Sequence, residues 1–173
     1  MTASEITSGG KPFVHHHAAH CETGVTAALF RDKGLEISEP MVFGIRGIRY
    51  LSKRLINFEK TQGFDEACRQ LGMIVRMQEE VGTGGAGFRY MYAAFLQEAA
   101  DLFGSPDLRE LSEEMTAIGD IWREFAVTAA RIIKKRGGKE ETFAKAGGLM
   151  LICAGREEEL LKHLRDVVRN LKS

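Results

Sequence analysis

Apolar residues return at steps of three and four along most of the second half of the chain, the spacing of one face of a helix with 3.6 residues per turn. The clearest run is Leu108, Leu111, Met115, Ile118, Trp122, Phe125, Ala129 and Ile132. It predicts one long helix with a narrow apolar seam directed at partner helices. The start of that helix is written locally: Ser105 supplies an N-cap oxygen, Pro106 fits the first helical position, and Asp107 suits the positive end of the dipole. Its end is expected near Arg136, after the basic run Lys134-Lys135-Arg136. Beyond Gly137-Gly138 the pattern becomes less regular, until Leu160, Leu161, Leu164, Val167, Val168 and Leu171 predict a terminal amphipathic helix with Glu158 and Lys162 as an i,i+4 pair.

Upstream, the spacing predicts a helix over 64–80 and an aromatic-rich helix over 88–103 that stops at Gly104. The loop Gly82-Thr83-Gly84-Gly85-Ala86-Gly87 joins them, and the two are expected to pack as a helical hairpin. A basic helix over 48–58 carries Arg49, Lys53 and Arg54 on a solvated face, preceded by breaks at Pro40 and Gly44 to Gly47. A further helix over 21–32 ends at Gly34, and residues 1–14 form a polar entry segment. The fold class is therefore mainly α, a compact bundle of five or six helices with an irregular N-terminal segment. The chain divides into a segment over 1–45 and a helical domain over 46–173.

With 173 residues the chain is long enough for one domain that needs no disulfide or metal to hold a core. Its 24 basic residues balance 24 acidic ones, so no global field favours nucleic acid or an anionic membrane. The start is polar and carries Glu5, unlike a secretory signal, and the longest uncharged apolar run, over 146–155, is half the ~20 residues that a membrane span needs. A cytoplasmic protein with no membrane, nucleic-acid or cofactor requirement is expected. Three cysteines without regular spacing read as reduced thiols. Cys68 shares a stripe with Phe64, Leu71 and Val75, and Cys153 follows Leu149-Met150-Leu151-Ile152, so both read as small core residues.

The most chemically suggestive stretch is His15-His16-His17-Ala18-Ala19-His20-Cys21. A thiol at a predicted helix start is favoured as thiolate, and His20 beside it is a candidate proton acceptor. The same residues also read as a helix-start cysteine beside surface histidines. Imidazoles and a thiolate suit zinc, nickel or copper, yet the spacing matches no established finger or enzyme site, and no metal is assigned. His163, with Asp166 three residues on, is a second candidate base; a histidine among leucines is otherwise a boundary residue. In the glycine loop, Gly84, Gly85 and Gly87 offer backbone N–H groups to an anion, with Arg89 and Tyr90 one turn into the following helix as further substrate contacts. The competing reading is a set of glycines that lets two helices approach closely.

The order His20-Cys21-Glu22-Thr23-Gly24, Leu29-Phe30, Gly34, Ile37-Ser38-Glu39 and Phe43-Gly44 resembles the opening of the butirosin biosynthesis protein H family. Farther on, Gly47-Ile48-Arg49-Tyr50-Leu51, Met77-Gln78-Glu79-Glu80, the run from Gly82 to Leu96, and Trp122-Arg123 resemble the helical domain of unknown function that usually follows it. The resemblance implies a thiol enzyme of papain or bacteriocin-peptidase type with Cys21 as nucleophile. The namesake passes an acyl group from a phosphopantetheinyl carrier protein to an aminoglycoside amine, so a carrier protein is an implied partner. The family's central α/β section, with the His and Asp of its site, has no counterpart, because Phe43-Gly44-Ile45 leads almost directly into the helical part. The alternative function is a non-catalytic helical binding or dimerisation module. A homo-oligomer is expected, since so short a chain has little body with which to cover Trp122 and Phe125.

Overall fold

The computed structural model describes residues 44–80 and 85–171. The candidates Cys21 and His20, the predicted helix over 21–32 and Gly84 lie outside the described residues. The chain divides into two compact units, Met1–Ile48 and Arg49–Ser173, and every contact described below lies within the second. Six α-helices and one 3-10 turn, with no strand, make up the described residues. They are α1 (Ile45–Ile56), α2 (Phe58–Gln62), α3 (Phe64–Glu79), the turn Ala86–Phe88, α4 (Arg89–Phe103), α5 (Pro106–Ile133) and α6 (Phe143–Asn170). The expected helical bundle is thus the observed one.

Helix α5 is the axis of the fold, and α3, α4 and α6 all pack against it. Its start follows the local signals: the Ser105 hydroxyl accepts from the Leu108 N–H at 3.3 Å, with Pro106 in the first turn. The seam residues Ile118, Trp122, Phe125 and Ala129 have no exposed surface. Trp122 and Phe125 meet edge to face with ring centroids 5.6 Å apart. The expectation that this chain could not cover Trp122 and Phe125 is therefore corrected: neighbouring helices bury the seam within the chain. Among the described residues, helices α3 and α4 pack chiefly on α5 and little, if at all, on each other, which corrects the expected hairpin. Small residues let α4 approach α5 closely. The Ser112 hydroxyl donates to the Ala93 carbonyl at 2.8 Å, and a Cβ at Gly119 would lie 2.7 Å from the Tyr90 ring.

The largest departure from the sequence reading is α6. The stretch expected to be irregular is helical from Phe143 onward, and α6 has 28 residues, as many as α5. Thr142 caps it by accepting from the Lys145 N–H at 3.1 Å. Gly147 faces α1, where an added Cβ would lie 2.7 Å from Ile56 Cγ1 and 2.9 Å from the Ser52 carbonyl oxygen. The Ser52 hydroxyl donates to the Gly147 carbonyl at 2.7 Å across this crossing. A glycine within a helix costs about 1 kcal/mol relative to alanine, and here close packing offsets that cost. Smaller differences concern ends: α1 runs through Gly47, α5 stops at Ile133, and Gly63, at φ +80, separates α2 from α3.

Candidate functional site

The glycine junction before α4 and the buried charges beneath it form the most polar constellation inside the bundle. Three successive residues, Ala86, Gly87 and Phe88, hold positive φ values of 49, 55 and 70 degrees. This left-handed turn brings Arg89, the first residue of α4, into the interior. A Cβ at Gly87 would run into the Gln78 amide oxygen and the Arg89 guanidinium, so a side chain here would be strained by the backbone and would displace the ends of both neighbours. The Gly87 carbonyl accepts from Arg89 Nη1 at 2.8 Å.

Arg89 meets Glu157 of α6 in a two-pronged ion pair, Nε to Oε1 at 2.9 Å and Nη2 to Oε2 at 3.1 Å, with each side chain 9% exposed. The Trp122 indole N–H donates to the same Oε1 at 3.0 Å, and the guanidinium carbon lies 4.9 Å from the indole ring centroid. The carboxylate thus accepts three hydrogen bonds and the guanidinium is bonded through all three nitrogens. Such saturation is what allows a charged pair to be buried at all. One turn earlier on α6, the fully buried Cys153 is pushed up to about 12, first by burial and then by the Glu157 carboxylate. It is a core thiol, as its sequence context indicates. Cys68 is half-buried and is also raised, chiefly by burial and then by Asp65.

A second layer lies nearer the surface. The Tyr90 hydroxyl donates to Asp120 Oδ1 at 2.9 Å and is pushed up to about 12 by burial and by that hydrogen bond. Arg123 pairs with Glu79, whose other oxygen accepts from the Ala86 N–H at 3.3 Å. The candidates Gly85, Gly87, Arg89 and Tyr90 are thus brought together, but as parts of a junction whose polar groups serve one another. An anion at this loop would have to compete with Glu157 for Arg89. His163 stands apart from this cluster. It lines a groove of about 590 Å³ between α5 and α6, together with Glu110, Glu114, Arg156 and Glu159. Asp166 pairs with Arg169 at 3.6 Å, and Arg156 holds Glu114 through two bonds of 2.7 and 2.6 Å.

Glu157, Asp120 and Glu79 were not legible as site residues. Glu157 sits in the run Arg156-Glu157-Glu158-Glu159, which reads as a solvated face. One signal was present: position 157 continues the inward stripe of Met150, Cys153, Ala154 and Leu160. A charge on an apolar stripe needs a buried partner. Among the described residues, no group of three or more His, Cys, Asp or Glu is arranged to hold a metal ion, and no helix is long and apolar enough to cross a membrane.

A family model described as "Domain of unknown function (DUF4872)" matches residues 14–164. No curated protein matches the chain, and no solved structure does.

Proposed function

For this chain, which belongs to the uncharacterised DUF4872 family, we propose thiol-dependent acyl transfer, with Cys21 as the nucleophile and a carrier-bound thioester as the acyl donor. The supporting observation is that the family match opens at residue 14, so the His15 to Cys21 run belongs to the family's domain and is not an appendage to it. The other two thiols are raised by burial, which disfavours the nucleophilic form. In the proposed sequence, the Cys21 thiolate adds to the thioester carbonyl and the donor thiolate leaves, taking up the proton that Cys21 released. An amine then adds to the acyl-Cys21 carbonyl, loses a proton and expels the Cys21 thiolate. The family resembled at the start of the chain completes its site with a His and an Asp that have no counterpart here. Acylation of Cys21 is therefore the better-supported half of the cycle, and turnover is expected to be slow.

The test is limiting iodoacetamide on native protein, followed at each cysteine by peptide mass spectrometry as pH is varied. Cys21 should label first, with a midpoint below the unperturbed ~8.5, and Cys153 last. A short-chain acyl thioester should then add one acyl mass to the Cys21 peptide, and a Cys21→Ser variant should show none. Labelling of Cys21 no faster than Cys68, or absence of the adduct, would overturn the proposal. The second reading, a non-catalytic binding module, is favoured by the exposed apolar face of α4. It would be preferred if the adduct is absent while that face engages a protein.

A further inference from the structure

Helix α1 carries charge of one sign only: Arg46, Arg49, Lys53 and Arg54, with no acid between Ile45 and Ile56. Ile48, Ser52 and Leu55 are buried against the bundle, so the opposite side faces outward. At about 100° per residue, Arg46, Tyr50, Lys53 and Arg54 fall on that side within one strip about 100° wide, and all four are exposed. Arg49, at the edge of the strip, pairs with Glu158, but Arg46, Lys53 and Arg54 pair with no carboxylate among the described residues. The dipole of the helix explains only part of this. It favours Lys53 and Arg54 in the last turn and opposes Arg46 in the first, where no acid offsets it. Arg54 is also held in place: its Nη1 donates to the Tyr50 hydroxyl at 3.1 Å, and the guanidinium carbon lies 5.8 Å from that ring centroid.

We propose that this strip docks an acidic helix of a partner protein, in a transient contact steered by charge. Charge complementarity sets the sign of the partner, and the surroundings of the strip set its kind. The apolar side of α1 is used by the bundle and cannot enter a bilayer, so an anionic membrane would meet side-chain charge alone. A nucleic acid is a continuous polyanion, and it would run past Glu158 at the edge of the strip and Glu59 in α2 just beyond its end. From Arg46 to Arg54 the strip rises about 12 Å, two helical turns, which acids three and four apart on one face of a helix match. Tyrosine and arginine are side chains that concentrate in protein contacts, and an Arg54 already ordered on Tyr50 loses less freedom on binding. The surface stands independently of any chemistry at Cys21.

The probe is an alanine-based helical peptide of about twenty residues with glutamates three and four apart along one face. It is titrated at low salt into the full chain while backbone amide shifts are followed by NMR. Shifts confined to α1 and centred on Tyr50 to Arg54 are expected, and they should shrink as salt rises. A Lys53→Gln/Arg54→Gln variant should bind about tenfold more weakly. Because both residues are exposed, its melting should be unchanged. Arg76→Gln/Arg109→Gln removes equal charge from exposed sites on α3 and α5 and should leave binding within about twofold. Absence of shifts in α1 overturns the proposal, as does an equal loss in the two variants. A DNA duplex or phosphatidylserine vesicles that perturb α1 more strongly than the peptide at the same salt would assign the strip to phosphate, which also overturns it.

Discussion

Glu157 shows how much one side chain can decide. Its carboxylate joins α6 to the first residue of α4 and to the indole of α5, so three helices share one buried charge centre. Glu157→Ala would leave Arg89 buried without a counter-charge, and a loss of about 3–5 kcal/mol is expected, read by urea unfolding with Trp122 fluorescence. An Arg89→Met/Glu157→Leu double variant should recover much of that loss, because no unpaired charge remains. If the double variant is no better than the single one, shape and not charge dominates the site. Cys153 and Tyr90 set a pH limit on the alkaline side. Each holds its proton in the fold up to about 12, against ordinary values of 9.0 and 10.0. Below pH 9 both are protonated in either state, and their contribution is fully present. As pH rises, the unfolded chain ionises while the folded chain does not, so stability falls between pH 9 and 12. Melting temperature against pH should show that decline, shallower in Cys153→Ala from pH 9 and in Tyr90→Phe from pH 10.

Among the elements, α6 gives the sharpest contrast between local signal and outcome. Its two adjacent glycines are alike in sequence but not in surroundings. A Cβ at Gly147 meets the backbone and side chains of α1, whereas a Cβ at Gly148 meets nothing within 4 Å. Gly147→Ala is expected to destabilise by about 1–3 kcal/mol through forced separation of the helices. Gly148→Ala is expected to be neutral or stabilising by up to about 1 kcal/mol through helix propensity. Thermal melts of the pair check this, and equal effects would mean that the crossing is not tight. The cap at Thr142 belongs to the same account: Thr142→Ala should cost about 1 kcal/mol.

For the molecule as a whole, burial is concentrated on α5, whose inward face meets three other helices. Amide hydrogen exchange should therefore be slowest in the middle of α5, near Ile118 to Phe125. It should be fastest in α2, which has five residues and buries only Phe58. Uniform protection across the helices would contradict an α5-centred core. Within this arrangement the long seam, which reads from sequence as a surface for another chain, is satisfied at home, and unmatched apolar surface appears on α4 instead.

What the sequence determined by itself is what depends on neighbours within one or two turns: helical class, the capped start of α5 at Ser105 and Pro106, the stop at Gly104, and the core placement of Cys153. These follow from 3.6-residue periodicity, side-chain acceptors at helix starts and the freedom of glycine at positive φ, all local physics. The tertiary structure alone decided which apolar face is covered, which glycine is a contact and not a break, and which acid in Arg156-Glu157-Glu158-Glu159 is buried. Each of those depends on residues far apart in the chain. Gly147 can be helical because Ser52 and Ile56 press against it, and Glu157 can be buried because Arg89 and Trp122 reach it from 68 and 35 positions away. A packed partner contributes enough free energy to override a propensity of about 1 kcal/mol, and no window of neighbouring residues contains that partner.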